Sequence, residues 1–160
     1  MQVFDASSII YAWDNYPIRQ FPGLWEWMAL QVTEKKIVMS SVAYDEVDNK
    51  TPECAAWLRD KKIELFEINN VIAQKALTIK HFLGIVDDNY HPKGIGENDL
   101  FIIATAHVNS VGLVSNENRQ QKLPDILAKY KIPAVCAMDD VAVPCINFIE
   151  FIKRSQVIFG

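Results

Sequence analysis

Residues 1–10, Met1-Gln2-Val3-Phe4-Asp5-Ala6-Ser7-Ser8-Ile9-Ile10, carry the pattern that decides the fold. A short, mostly apolar run ends at an aspartate. Asp5, Ala6, Ser7 and Ser8 then supply turn and N-cap chemistry for a helix continuing through Ile9, Ile10, Tyr11 and Trp13. The run reads as a buried strand, which leaves Asp5 at its carboxyl end.

Three further acids fall into the same kind of position. Glu46 follows the apolar run Ile37 to Met39, Asp99 opens a helical stripe, and Glu117 follows Val111 to Val114. In an open parallel α/β sheet the carboxyl ends of the strands share one crevice, so acids placed there converge although they are distant in sequence. Two carboxylates about 4 Å apart repel by roughly 4 kcal/mol at an effective dielectric near 20. A cluster of them is therefore partly protonated or holds a cation. Hard oxygen ligands favour Mg²⁺ or Mn²⁺, ions suited to activating water and neutralising a phosphodiester in the transition state. The chemical expectation is a metal-dependent nuclease.

The rest of the chain supplies the frame. Leu24, Trp25, Met28 and Val32 recur at helical spacing, Ile37 to Ser41 reads as a second strand, and a helix with Tyr44, Glu46 and Val47 follows. Pro52 fits the first position of a helix through Leu58, and Asn70 is expected to cap another containing Ile72, Ala76, Ile79 and Leu83. Ile63 to Ile68 reads equally as a short edge strand or a tight connection. A polar loop from Gly84 to Asn98 leads to Asp99 and a helix with Leu100, Ile103, Ala104, His107 and Val108. In the first turn of that helix the dipole favours an ionised Asp99. Val111 to Ser115 is a third strand, a helix is expected near Pro124 to Tyr130, Pro133 begins another, Ala142 to Asn147 is a fourth strand, and Phe148 to Arg154 is a closing helix. Alternating strands and helices imply a three-layer α/β/α sandwich around a central parallel sheet of four to five strands.

Composition narrows the class. The 160 residues suit one domain spanning 1–160, half of them hydrophobic and 22% charged, without a low-complexity tract. No apolar run reaches the ~18 residues needed to span a bilayer, and no secretory leader is evident, so a cytoplasmic protein is expected. Cys54, Cys136 and Cys145 are widely spaced in apolar surroundings and read as buried thiols. His81, His91 and His107 lack zinc-site spacing. The net charge of −4 argues mildly against a nucleic-acid binder, although acids gathered around a metal account for part of it. Arg119, Lys122 and Lys93 stand as possible phosphate contacts, with a merely solvated face equally open.

FDASSII (4–10), VAYDEV (42–47), ENDLFIIATA (97–106) and LVSNE (113–117) together resemble the four acidic segments of the PIN-domain family, which includes the toxins of many prokaryotic toxin-antitoxin pairs. The stretch 132–152, IPAVCAMDDVAVPCINFIEFI, is similar to a bacterial branch of PIN-like proteins. The resemblance covers nearly the whole chain. It implies that Asp5, Glu46, Asp99 and Glu117 are catalytic, that Asp5, Asp99 and Glu117 hold Mg²⁺ or Mn²⁺, and that Ser7 and Asn116 orient them through hydrogen bonds. It also implies an RNA substrate and a cognate antitoxin protein, and homodimers are common among similar proteins; no membrane association is expected from the lack of a bilayer-spanning run. Glu117 departs from the commoner Asp, and Asp45 beside Glu46 leaves the second position with two claimants. The competing reading is a catalytically inactive PIN-like module that binds RNA or protein. An aspartyl nucleophile at Asp5 would need an acid two residues on, where Ser7 stands.

Overall fold

A computed structural model describes residues 1–160. Its five strands are β1 (Gln2–Phe4), β2 (Ile37–Ser40), β3 (Glu64–Phe66), β4 (Gly112–Val114) and β5 (Cys145–Ile146), ordered β3-β2-β1-β4-β5 and all parallel. Eight helices connect and flank them: α1 (Ala6–Asn15), α2 (Pro22–Thr33), α3 (Ser41–Lys50), α4 (Pro52–Asp60), α5 (Asn70–Phe82), α6 (Glu97–Val108), α7 (Ile132–Cys136) and α8 (Phe148–Ser155). Successive residues of a strand point to opposite faces, and Val3, Phe4, Ile37, Val38, Met39, Leu113 and Val114 are all fully buried. Both faces of the sheet are therefore covered, as a three-layer α/β/α sandwich requires. No helix is long and apolar enough to cross a membrane.

From β1 the chain winds outward through β2 to β3. It then returns to β4 on the other side of β1 and continues to β5. The direction of winding thus reverses between β1 and β4, and in open α/β sheets that switch point opens a crevice at the carboxyl ends.

Local chemistry explains where the elements end and where the expected boundaries shift. Pro22 and Pro52 start α2 and α4, where a missing N–H costs nothing. The cap of α5 is Asn69, whose Oδ1 accepts from the Ile72 N–H at 2.9 Å; Asn70 is already helical. The segment open to two readings contains the edge strand β3. The helix expected near Pro124 to Tyr130 is only a 3₁₀ turn, Leu127–Lys129. There the Gln120 side chain bridges Lys129 O and the Lys131 N–H, giving the backbone partners that a helix would otherwise provide. The fourth expected strand shrinks to Cys145–Ile146, because Ala142 is left-handed (φ 49°) and Pro144 has no N–H to give a ladder.

Candidate active site

The register of β1 against β4 pairs Phe4 with Val114, so Asp5 and Ser115 leave the sheet side by side at the switch point. Asp5 occupies the N-cap position of α1 but makes no side-chain cap bond. Its Oδ2 instead accepts from Ser7 Oγ at 2.6 Å and from Ser115 Oγ at 3.0 Å. The same two hydroxyls bind the turn after β4, Ser7 Oγ accepting from the Asn116 N–H at 2.9 Å and Ser115 Oγ from the Glu117 N–H at 3.2 Å. Ser8 Oγ lies 2.7 Å from Asp5 O and 3.0 Å from Val114 O, tying the two strand ends together. Asp5 is 3% exposed, and this network holds it.

Two of the other three acids arrive on helices, and Glu117 stands in the turn after β4. Asp99, in the first turn of α6, accepts from the Gly96 N–H at 2.9 Å through Oδ2. Glu46, in the middle of α3, accepts at Oε1 from Asn98 Nδ2 at 3.3 Å, a bridge between α3 and the start of α6. Glu117 accepts at Oε2 from the Ile132 N–H at 3.4 Å, where α7 begins. Each of the four carboxylates therefore commits one oxygen to a protein donor, while Asp5 Oδ1, Asp99 Oδ1, Glu117 Oε1 and Glu46 Oε2 accept from none.

Burial and neighbouring carboxylates raise the proton affinities of Glu117, Asp99 and Glu46. Burial, then the charges of Asp99 and Asp5, pushes Glu117 up to about 7, against the Ile132 N–H and Lys131. Asp99 is raised by burial and by Asp5, although the Gly96 N–H, Lys131 and Lys50 pull the other way. Glu46 is raised by burial and by the charges of Asp5 and Asp99, with Asn98 and Lys50 opposing. For Asp99, desolvation outweighs the favourable helix start, so the expected ease of ionisation at that position is not what the environment provides.

The donor chemistry fits a hard divalent cation, since the free oxygens are all carboxylate and two of the side chains are long glutamates able to change rotamer. The spacing is another matter: no three His, Cys, Asp or Glu side chains stand close enough to form a ligand set as they are placed. None of the four acids lines the main concavities of the surface, the two largest of which, about 510 Å³ each, lie around Phe21 and Phe159 and around Gln121 and Cys145.

Several placements differ from the sequence reading. The Asn116 side chain turns away from the carboxylates and accepts from the Phe148 N–H at 2.9 Å; only its backbone joins the network. Arg119 is engaged with Glu150 at 2.7 Å and Cys145 O at 3.4 Å. Asp45 is exposed, while Glu46 is half-buried and accepts from Asn98. Ser115, Asn98, Lys50 and Lys131 are the contributors that sequence reasoning missed. Ser115 lies within LVSNE and Asn98 within ENDLFIIATA, and Lys50 lies one helical turn from Glu46. Lys131 has no local signal at all.

The fold is that of a PIN-like domain. It is shared by VapBC2 from Rickettsia felis bound to a DNA fragment from their promoter, with a TM-score of 0.56 and 18% identity over 91% of this chain and 97% of that one. A toxin-antitoxin complex from Klebsiella pneumoniae matches with a TM-score of 0.50 and 15% identity, over 82% of this chain and 100% of that one. At such identities the likeness is one of fold. No curated protein matches in sequence. The chain belongs to the family described as a domain of unknown function, DUF4411, which matches residues 2–159.

Proposed function

We propose that this protein is a Mg²⁺- or Mn²⁺-dependent endoribonuclease that serves as the toxin of a type II toxin-antitoxin pair. The observation that carries the reading is the gathering of Asp5, Glu46, Asp99 and Glu117 at the switch point, each with one carboxylate oxygen unclaimed by the protein. Asp5, Asp99 and Glu117 would hold the ion, which when bound supplies charge neutralisation for a phosphodiester and lowers the pKa of a nucleophilic water. Ser7 and Ser115 fix Asp5 by donating to Oδ2, which leaves Oδ1 free. Asn98 steadies Glu46 in the same way. Loss of such supporting hydrogen bonds typically costs about 10–100-fold in metal affinity or activity.

The toxin assignment draws on the toxin-antitoxin complex among the similar structures, and the partner it implies is a protein antitoxin covering the crevice. The test is incubation of purified protein with single-stranded RNA in Mn²⁺ or in chelator, alongside Asp5→Asn. Cleavage that needs Mn²⁺ and disappears in the variant supports the reading; RNA left intact by the unaltered protein under both conditions refutes it.

One observation favours a second reading, a PIN-like module that binds without catalysis: the acids are not drawn into a ligand set. Calorimetric titration with Mn²⁺ separates the two, because the binding module predicts no heat of association at the crevice.

A further inference from the structure

We propose that Lys50 and Lys131 are substrate-positioning residues that hold the phosphates of an RNA strand on the two banks of the acidic crevice. The inference rests on the nuclease reading and names the side chains that make its crevice receptive to a polyanion. Four converging carboxylates repel an approaching phosphate backbone, so a site of this kind needs cations beside the acids as well as any ion among them.

The two lysines stand where such cations are needed. Lys50 is the last residue of α3, four positions after Glu46 and hence on the same helical face. Lys131 caps α7, immediately before the Ile132 N–H that binds Glu117. They belong to elements on either side of the acids, one to the Glu46 helix and the other to the segment that receives Glu117. Glu46 binds Asn98, the neighbour of Asp99, and Glu117 binds the Ile132 N–H, the neighbour of Lys131, so each lysine is tied to an acid within one residue or one helical turn. Neither takes part in an ion pair. The four pairs of the molecule are Lys35–Glu64, Lys36–Glu34, Lys61–Asp60 and Arg119–Glu150, so the ammonium groups near the crevice remain available.

The bank that carries Lys131 is braced. Its N–H donates to Gln120 Oε1 at 3.0 Å, and Gln120 Nε2 donates to Lys129 O at 3.1 Å. From the other side Gly94 packs so closely on the 3₁₀ turn that a Cβ there would fall 1.8 Å from Ala128 O. The clamp fixes the Lys131 backbone next to the Ile132 N–H that binds Glu117. Lysine serves as a point charge without base readout, so these contacts add affinity and register along the strand, not sequence preference.

The experiment measures binding of a fluorescein-labelled single-stranded RNA by anisotropy across a salt series, together with steady-state cleavage in Mn²⁺. It compares the unaltered protein with Lys50→Gln, Lys131→Gln, the double variant, the arginine replacements and a control, Lys153→Gln, in the last turn of α8. Each glutamine variant is expected to weaken binding roughly three- to tenfold and to reduce the log-log salt slope by about 0.7, with an unchanged melting temperature. In cleavage the loss should appear in KM while kcat holds, and arginine should restore both affinity and slope. Affinity and slope equal to those of the unaltered protein in both glutamine variants, a loss confined to kcat, or no RNA binding by the unaltered protein would overturn the proposal. The binding arm needs no turnover, so a protein that binds RNA through these lysines without cutting it would refute the nuclease reading and leave the lysine assignment standing.

Discussion

Asp99 concentrates the conflict of this site in one side chain. It sits where a helix start welcomes an anion and accepts the Gly96 N–H, yet burial and the charge of Asp5 push its proton affinity up. Replacing it with asparagine keeps an oxygen for the Gly96 N–H and removes one charge from the crowd. Asp99→Asn is therefore expected to raise the Tm of chelator-treated protein by a few degrees, since about 1 kcal/mol shifts a domain of this size by about 2–4 °C. The same variant should weaken Mn²⁺ binding in calorimetry. A metal-free melt that stays level or falls would mean the carboxylates are not crowded.

Helix termini show a different economy. α2, α4 and α6 each end on a non-glycine residue in the left-handed region, Lys35 (φ 59°), Lys62 (φ 62°) and Ser110 (φ 54°), whereas the end of α5 uses Gly84 (φ 70°). At α4 the closure is complete, with the Lys62 N–H on Arg59 O and the Ile63 N–H on Leu58 O, both at 3.0 Å. The left-handed region is costly for a residue with a Cβ and free for glycine. Lys62 is exposed and makes no ion pair, so Lys62→Gly is expected to stabilise the protein by about 0.5–1 kcal/mol, the strain relieved exceeding the entropy gained by the unfolded chain. Gly84→Ala should do the reverse. Thermal melts of the two variants moving in the same direction would contradict this account of the termini.

The acids also set the response of the entire fold to pH. Glu117 has a folded-state pKa raised from 4.5 to about 7, and Asp99 and Glu46 are shifted in the same direction. A raised acid contributes stability that is fully present below its unfolded pKa and is lost as pH climbs through the folded value. Metal-free protein should therefore lose stability between about pH 4.5 and 7. Glu117→Gln should remove most of that slope, a difference of about 1–2 kcal/mol once partial exposure is discounted, and Mn²⁺ should restore stability at pH 8. Melts of the unaltered protein and the variant that run parallel from pH 4.5 to 8 would show that Glu117 is not strained by its neighbours.

Much of this was legible in the chain itself. Apolar runs ending at Asp5, Ser40 and Ser115, each tied to a helix nearby, specify a parallel α/β sheet, because periodicity and capping are local properties of neighbouring residues. The acids at those junctions were legible for the same reason. Weak elements were not: the 3₁₀ turn at 127–129 and the two-residue β5 depend on Gln120, Pro144 and Ala142 meeting particular partners. Nor could sequence show that Asn116 would turn its side chain to Phe148 and leave Ser115 to hold Asp5, or that Lys131 would come to stand beside Asp99 and Glu117. Those relations join residues 14 to 110 positions apart. Hydrogen bonds and charge interactions fall off within a few ångströms, so only the packed chain, by choosing which distant segments touch, decides them.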